Sequence, residues 1–155
     1  MTKKEALEQE ADSKGIHIYK YYLGEESLRG LYVDGNIALN TSLKSDVEEA
    51  CVIAEELGHH HTTVGNILNL DDRISAKQER QARLWAYNKQ IGLSGIIRAY
   101  EHGCMNRCEM AEFLDVTEEF LQEAIDCYRE KYGVGETVDN YYIMFIPNLM
   151  VGKRI

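Results

Sequence analysis

The stretch that most restricts the fold runs from Cys51 to Gly65, Cys-Val-Ile-Ala-Glu-Glu-Leu-Gly-His-His-His-Thr-Thr-Val-Gly. It begins with the spacing of an amphipathic helix and ends in three histidines, two threonines, a valine and a glycine. In a helix, Glu55 and His59 stand at i and i+4 on one face, with Cβ atoms about 6 Å apart. That is how a single helix offers two ligands to one metal ion. Glu56 is rotated by roughly 100° about the axis and reaches a water beside such an ion instead of the ion itself. Two other readings fit the same residues. Glu56 and His60 form a second i,i+4 pair, and the whole segment also fits a solvated helix face making ordinary contacts.

In the first register, Glu55-Glu56-Leu57-Gly58-His59 is a His-Glu-x-x-His zinc-protease helix with glutamate in place of its first histidine. Ala54-Glu55-Glu56-Leu57-Gly58-His59 resembles the His-Glu-Leu-Gly-His helix of the ImmA/IrrE family of metallo-endopeptidases, small proteins common in prophages and mobile elements.

A chain of 155 residues is the size of one domain with a real core. One domain is therefore expected over residues 1–155, with a sheet and metal-site core over 15–90 and a helical scaffold over 93–133. The net charge of −9 argues against direct nucleic-acid binding, which needs clustered Lys and Arg. No apolar run approaches the ~20 residues of a membrane span, and the first residues have no apolar signal core, so a cytoplasmic location is expected. The four cysteines do not read as a disulfide framework in that compartment. His102, Cys104, Cys108 and Cys127 are a candidate second zinc site of unusual spacing; helical burial of Cys108 and Cys127 is the competing explanation.

In chain order, residues 2–13 read as a helix ending before Gly15. Residues 16–23 are dense in β-branched and aromatic side chains and read as a strand. Leu28–Val33 and Ile37–Leu43 read as two more strands joined through Asp34-Gly35-Asn36, a hairpin signal. The expected opening is thus a helix followed by a three-stranded antiparallel meander. Ser45 and Glu48 form a capping box that starts the central helix, whose buried stripe is Val47, Ala50, Cys51, Ala54 and Leu57. Ser75 to Gln78 reads as another box-like start. Helices are also expected over 94–102, from Asn106, and over 118–132. The segment from Met110 to Leu121 is similar to a helix-turn-helix pair, but the acidic residues of its second helix repel phosphate, so it reads as scaffold. Residues 141–146 are strand-like.

On the helix containing Glu79, Ala82, Trp85 and Ala86, Glu79 shares the small-residue side and is expected to face inward. A buried unpaired carboxylate is costly. Its expected partner is a metal held by Glu55 and His59, the competing one an arginine such as Arg73 or Arg80. The resemblance extends here. The family's second signature is Glu-x-x-Ala followed by an aromatic residue and an alanine, matched by Glu79, Ala82, Trp85 and Ala86, and its glutamate is the third zinc ligand. Arg83 departs from the asparagine usual there, and the proline that commonly closes the helix is missing.

The resemblance, covering roughly Gly15 to Tyr132, implies an α+β fold with a zincin-like centre: an N-terminal helix, a small sheet, the metal helix, and a helical C-terminal half. It implies one Zn²⁺ on Glu55, His59 and Glu79, with Glu56 as general base, and cleavage of a cytoplasmic protein such as a DNA-binding repressor of a mobile element. Two carboxylates and one imidazole make a harder, more anionic donor set than two imidazoles, which weakens the preference for zinc over other divalent ions. The strand from Ile37 to Leu43 is the expected edge for an extended substrate. A module of a different class, gripping a repressor without cutting it, is the second expectation.

Overall fold

The computed structural model describes residues 1–24, 28–62 and 72–154. The chain forms two compact units, residues 1–86 and 87–155.

The first unit opens with α1 (Lys3–Ser13), capped by the Thr2 hydroxyl, which accepts from the Glu5 amide. Leu7 and Ala11 are its buried contacts. Three strands follow, β1 (His17–Tyr21), β2 (Gly30–Val33) and β3 (Asn36–Asn40). The β2–β3 hairpin turns through Asp34 and Gly35, both at positive φ (47° and 78°), as a two-residue turn matched to strand twist requires.

The sheet is mixed, and this corrects the expected antiparallel meander. Its order is β1-β3-β2, with β1 parallel to β3 and β2 antiparallel to it. β3 is central because it carries the most buried residues of the three strands, Ile37, Leu39 and Asn40. Asn40 also fastens the connection that carries the chain past β3. Its amide donates to the Leu28 carbonyl at 2.8 Å, and its Oδ1 accepts from the Leu23 and Ser42 amides. A buried amide with this many partners is satisfied where an orphaned one would be costly.

α2 (Asp46–Thr62) begins at the expected capping box, since the Ser45 hydroxyl accepts from the Glu48 amide at 3.1 Å. It continues through all three histidines. Ala50 to Ala54, Leu57 and Gly58 are buried, so the helix is enclosed on more sides than a single stripe provides. Glu49 is buried with them and is held by Lys4 Nζ at 2.6 Å and Lys20 Nζ at 3.2 Å, which ties α1 and β1 to α2. α3 (Asp72–Gln90) starts a turn before Ser75.

The second unit contains α4 (Gly92–His102), α5 (Arg107–Leu114) and α6 (Glu118–Tyr132). Asn106 caps α5 by accepting from the Glu109 amide, and the Glu109 carboxylate reaches back to accept from the Met105 amide, one residue before the cap whose N–H a capping box would use. A second sheet follows, antiparallel, of β4 (Gly135–Val138), β5 (Tyr141–Met144) and β6 (Met150–Lys153). Only β5 carries the dense β-branched and aromatic composition that marks a strand in advance. Tyr128 and Phe145 are fully buried; Tyr128 donates to Asn88 at 3.0 Å, and Arg129 Nε donates to the Phe145 carbonyl. Among the described residues, no helix is long and apolar enough to cross a membrane.

Candidate functional site

The site lies where α2 meets α3 on one side and β2 on the other. Gly58 makes the first meeting possible. A Cβ built there would overlap the backbone carbonyl of Ala82, so α2 and α3 touch backbone to backbone. Ala82 and Ala86 are fully buried, as small residues must be at so close an approach. Gly30 makes the second meeting possible. A Cβ there would lie 2.6 Å from Val52 Cγ1 and 3.4 Å from Glu56 Oε1.

The Gly58–Ala82 contact carries the next residue of α2 to Glu79, one turn before Ala82. His59 Nε2 lies 3.1 Å from Glu79 Oε2, and Arg83 Nε lies 3.0 Å from Glu79 Oε1. Glu79 is half-exposed, not turned inward as its helical position predicted; its side-chain exposure is 43%. Its arginine partner is Arg83, one turn along the same helix. The His59 hydrogen bond holds the Glu79 carboxyl below its usual range, helped by the charges of His59 and Arg83 and opposed by burial. The same hydrogen bond raises His59, against desolvation and with the help of the negative charges of Glu79, Glu56 and Glu55. In this arrangement a proton bridges the two side chains.

Glu56 is buried between α2 and β2. Burial pushes its carboxyl up to about 7, with the positive His59 lowering it and the negative Glu79 raising it. A carboxyl that holds and releases a proton near neutrality is suited to general acid and base work.

The other two histidines look elsewhere. His60 Nδ1 lies 2.7 Å from the Tyr32 hydroxyl of β2, and His61 stacks on Trp85 with ring centroids 4.5 Å apart. The two i,i+4 pairs weighed in the sequence thus address different neighbours. His59 turns to α3, and the Glu56/His60 face turns to β2. The helical spacing is informative about the faces, but nothing in it singles out Tyr32, Gly30, Gly58 or Arg83 as their partners.

The resemblance implies a metal, and a divalent ion sets the spacing of its donors. Zinc–ligand bonds of about 2.0–2.2 Å in tetrahedral geometry place neighbouring donor atoms roughly 3.3–3.6 Å apart. The His59–Glu79 edge is slightly shorter than that, so these two side chains would hold such an ion after a small separation. Glu55 is half-buried and its charge reaches His59. Yet among the described residues no three His, Cys, Asp or Glu side chains converge, so the structure assembles two of the three expected donors and does not bring Glu55 to them. The same holds for His102, Cys104, Cys108 and Cys127. Cys108 is exposed, which also removes burial as its explanation, while Cys104 and Cys127 are half-buried.

Residues 11–126 match the IrrE N-terminal-like domain, a peptidase family. The chain belongs to that family. No curated protein matches it. The family carries a metallopeptidase type of function, and the matched span contains α2, α3 and every residue of the site described above.

Two outcomes test this geometry. Gly58→Ala in an open helix would stabilise by about 1 kcal/mol; against the Ala82 carbonyl it is expected to destabilise by about 2 kcal/mol or more. Urea unfolding reads the sign, and a gain in stability would mean that α2 and α3 do not touch there. The second concerns Glu56. Unfolded, its carboxyl ionises near 4.5; folded, it keeps its proton to about 7. Between those values the folded chain binds more protons than the unfolded one, so this group's contribution falls as pH rises. The shift amounts to something on the order of 3 kcal/mol. In chelator-treated protein, Glu56→Gln should therefore raise stability at pH 8 and change it little near pH 4.5. An equal change at both pH values would contradict the buried carboxyl.

Proposed function

We propose that this chain is a metal-dependent endopeptidase acting on a cytoplasmic protein, a DNA-binding repressor of a phage or other mobile element. The observation that carries the reading is the juxtaposition of His59, Glu79 and the buried Glu56 at the crossing of α2 and α3. His59 and Glu79 would hold the ion, with Glu55 as the remaining donor of the expected set and zinc as the expected metal. Bound there, a divalent ion supplies Lewis acidity to the water and the scissile carbonyl. Glu56 takes a proton from the attacking water and returns it to the leaving amine.

The extended substrate pairs with β2. β3, the strand expected for this role, is hydrogen-bonded on both sides by β1 and β2 and has no free edge. Among the described residues β2 pairs with β3 alone, and it passes directly over Glu56 at Gly30. Addition of a peptide strand to such an edge uses backbone bonds for affinity.

A second reading rests on Arg83. With one Glu79 oxygen held by this guanidinium and two of three donors assembled, the site also suits a module that grips a repressor without cutting it. Elemental analysis separates the readings. The peptidase should carry about one divalent ion per chain, lost in His59→Ala and retained in His60→Ala; equal loss in both would contradict the Glu55/His59 register, and loss in His60→Ala alone would move it to Glu56/His60. Glu56→Gln should keep metal and lower turnover by about 10² to 10⁴.

The repressor target comes from the family resemblance, and the charge of the chain suits it. At net −9, the chain is matched to a basic partner such as a protein surface built for phosphate. Co-expression with the neighbouring repressor should yield cleavage fragments by mass spectrometry, or a complex that weakens as salt rises. An intact repressor that fails to co-purify contradicts both readings.

A further inference from the structure

We propose that Tyr32 and His60 form a substrate-positioning pair on the strand side of the site, in which His60 Nε2–H donates to a backbone carbonyl of the polypeptide lying along β2. This rests on the reading of β2 as the substrate edge and adds to it a side-chain contact.

The placement comes from two periodicities that meet. Glu56 and His60 are i and i+4 on α2 and share a face. Gly30 and Tyr32 are i and i+2 on β2 and point to the same side. Glu56 lies against Gly30, and His60 lies against Tyr32. The pair therefore sits one helical turn beyond the proposed general base, beside the same strand. β2 has its second edge open to a further strand among the described residues.

The chemistry comes from the 2.7 Å bond between the Tyr32 hydroxyl and His60 Nδ1. A neutral imidazole has one donor and one acceptor nitrogen, and the hydrogen bond at one nitrogen fixes the role of the other. In the proposed arrangement the phenol donates to Nδ1 and the proton of the ring stays on Nε2; the reverse direction would place it on Nδ1. Among the described residues, Nδ1 is the only His60 nitrogen in a hydrogen bond. The ring is also braced, edge-on to Tyr32 with centroids 5.5 Å apart and edge-on to His61 at 5.3 Å, and His61 is itself stacked on Trp85. A fixed ring with a fixed tautomer is what a donor needs if it is to meet a carbonyl without reorganising. Tyr32 acts through His60 and is a positioning residue; His60 is the group that touches the substrate.

The test separates substrate binding from hydrolysis. Fluorescein-labelled β-casein serves as an unfolded polypeptide probe, and its affinity is read by anisotropy in the Glu56→Gln background, where the chain is not cut. Adding His60→Ala is expected to weaken binding about five- to tenfold, the size of one hydrogen bond, and adding Tyr32→Phe, which leaves the Nε2–H donor in only part of the population, about twofold. His60→Gln, whose amide restores an N–H donor, is expected to recover part of the loss. Long-range proton–nitrogen correlation spectra of histidine-labelled protein at one fixed pH should show a single His60 tautomer in the parent and a mixture in Tyr32→Phe, with His59 unchanged. Thermal midpoints and metal content should match the parent in all three variants. Unchanged casein affinity in His60→Ala, an unchanged tautomer in Tyr32→Phe, or no casein binding by the parent would each overturn the proposal. If casein binds as expected but the chain with Glu56 intact leaves it whole, the peptidase reading fails while the positioning pair stands.

Discussion

The site depends on one backbone contact, Gly58 of α2 against the carbonyl of Ala82 on α3. Helices usually pack at interaxial distances of about 8–10 Å, set by the side chains between them. Here there is no side chain on one partner and a methyl group on the other. The result is that His59, adjacent to Gly58, comes within hydrogen-bonding distance of Glu79, three residues before Ala82. A larger residue at either position would open the gap and leave a half-buried imidazole facing water. The packing is therefore what makes two polar residues from different helices into one functional group.

Around that contact the electrostatics are asymmetric. The His59–Glu79–Arg83 row alternates in sign and each member supports the next. Glu56 stands apart, without an ion pair among the described residues, its carboxyl raised by burial between α2 and β2. Two carboxylates whose charges both act on His59 are thus driven in opposite directions, Glu79 down and Glu56 up. Such a split assigns one to holding charge and the other to moving protons.

Much of this was legible in the chain. Capping boxes at Ser45 and Asn106 start helices where they are expected, because cap chemistry is local and needs no knowledge of the fold. The α+β class and the family were readable from the Glu-Glu-Leu-Gly-His helix and the Glu79 segment. The strand order was not, because the pairing of β1 with β3 is set by the buried Asn40 and its bonds to Leu23 and Leu28, and an asparagine at the end of a strand carries no mark of that role. The exposure of Glu79 was misjudged for a related reason: a helical face lists which residues look the same way, and says nothing about where the neighbouring helix ends. β4 and β6 were missed because four-residue strands of Gly-Glu-Thr-Val and Met-Val-Gly-Lys lack the composition that distinguishes a strand from a loop.

The three consecutive histidines meet three different neighbours: His59 faces a carboxylate on α3, His60 a phenol on β2, and His61 an indole further along α3. The assignment is made by rotation alone, since each step along α2 turns the ring by about 100°. A run that looks redundant on paper is in effect a three-position dial. Loss or gain of one residue between Ser45 and Gly58 would turn it by one notch, giving two of the three partners the wrong imidazole and the third Thr62 or Gly58 instead. Length variation in this helix is then far less tolerable than substitution, and insertions should be confined to the segments outside it.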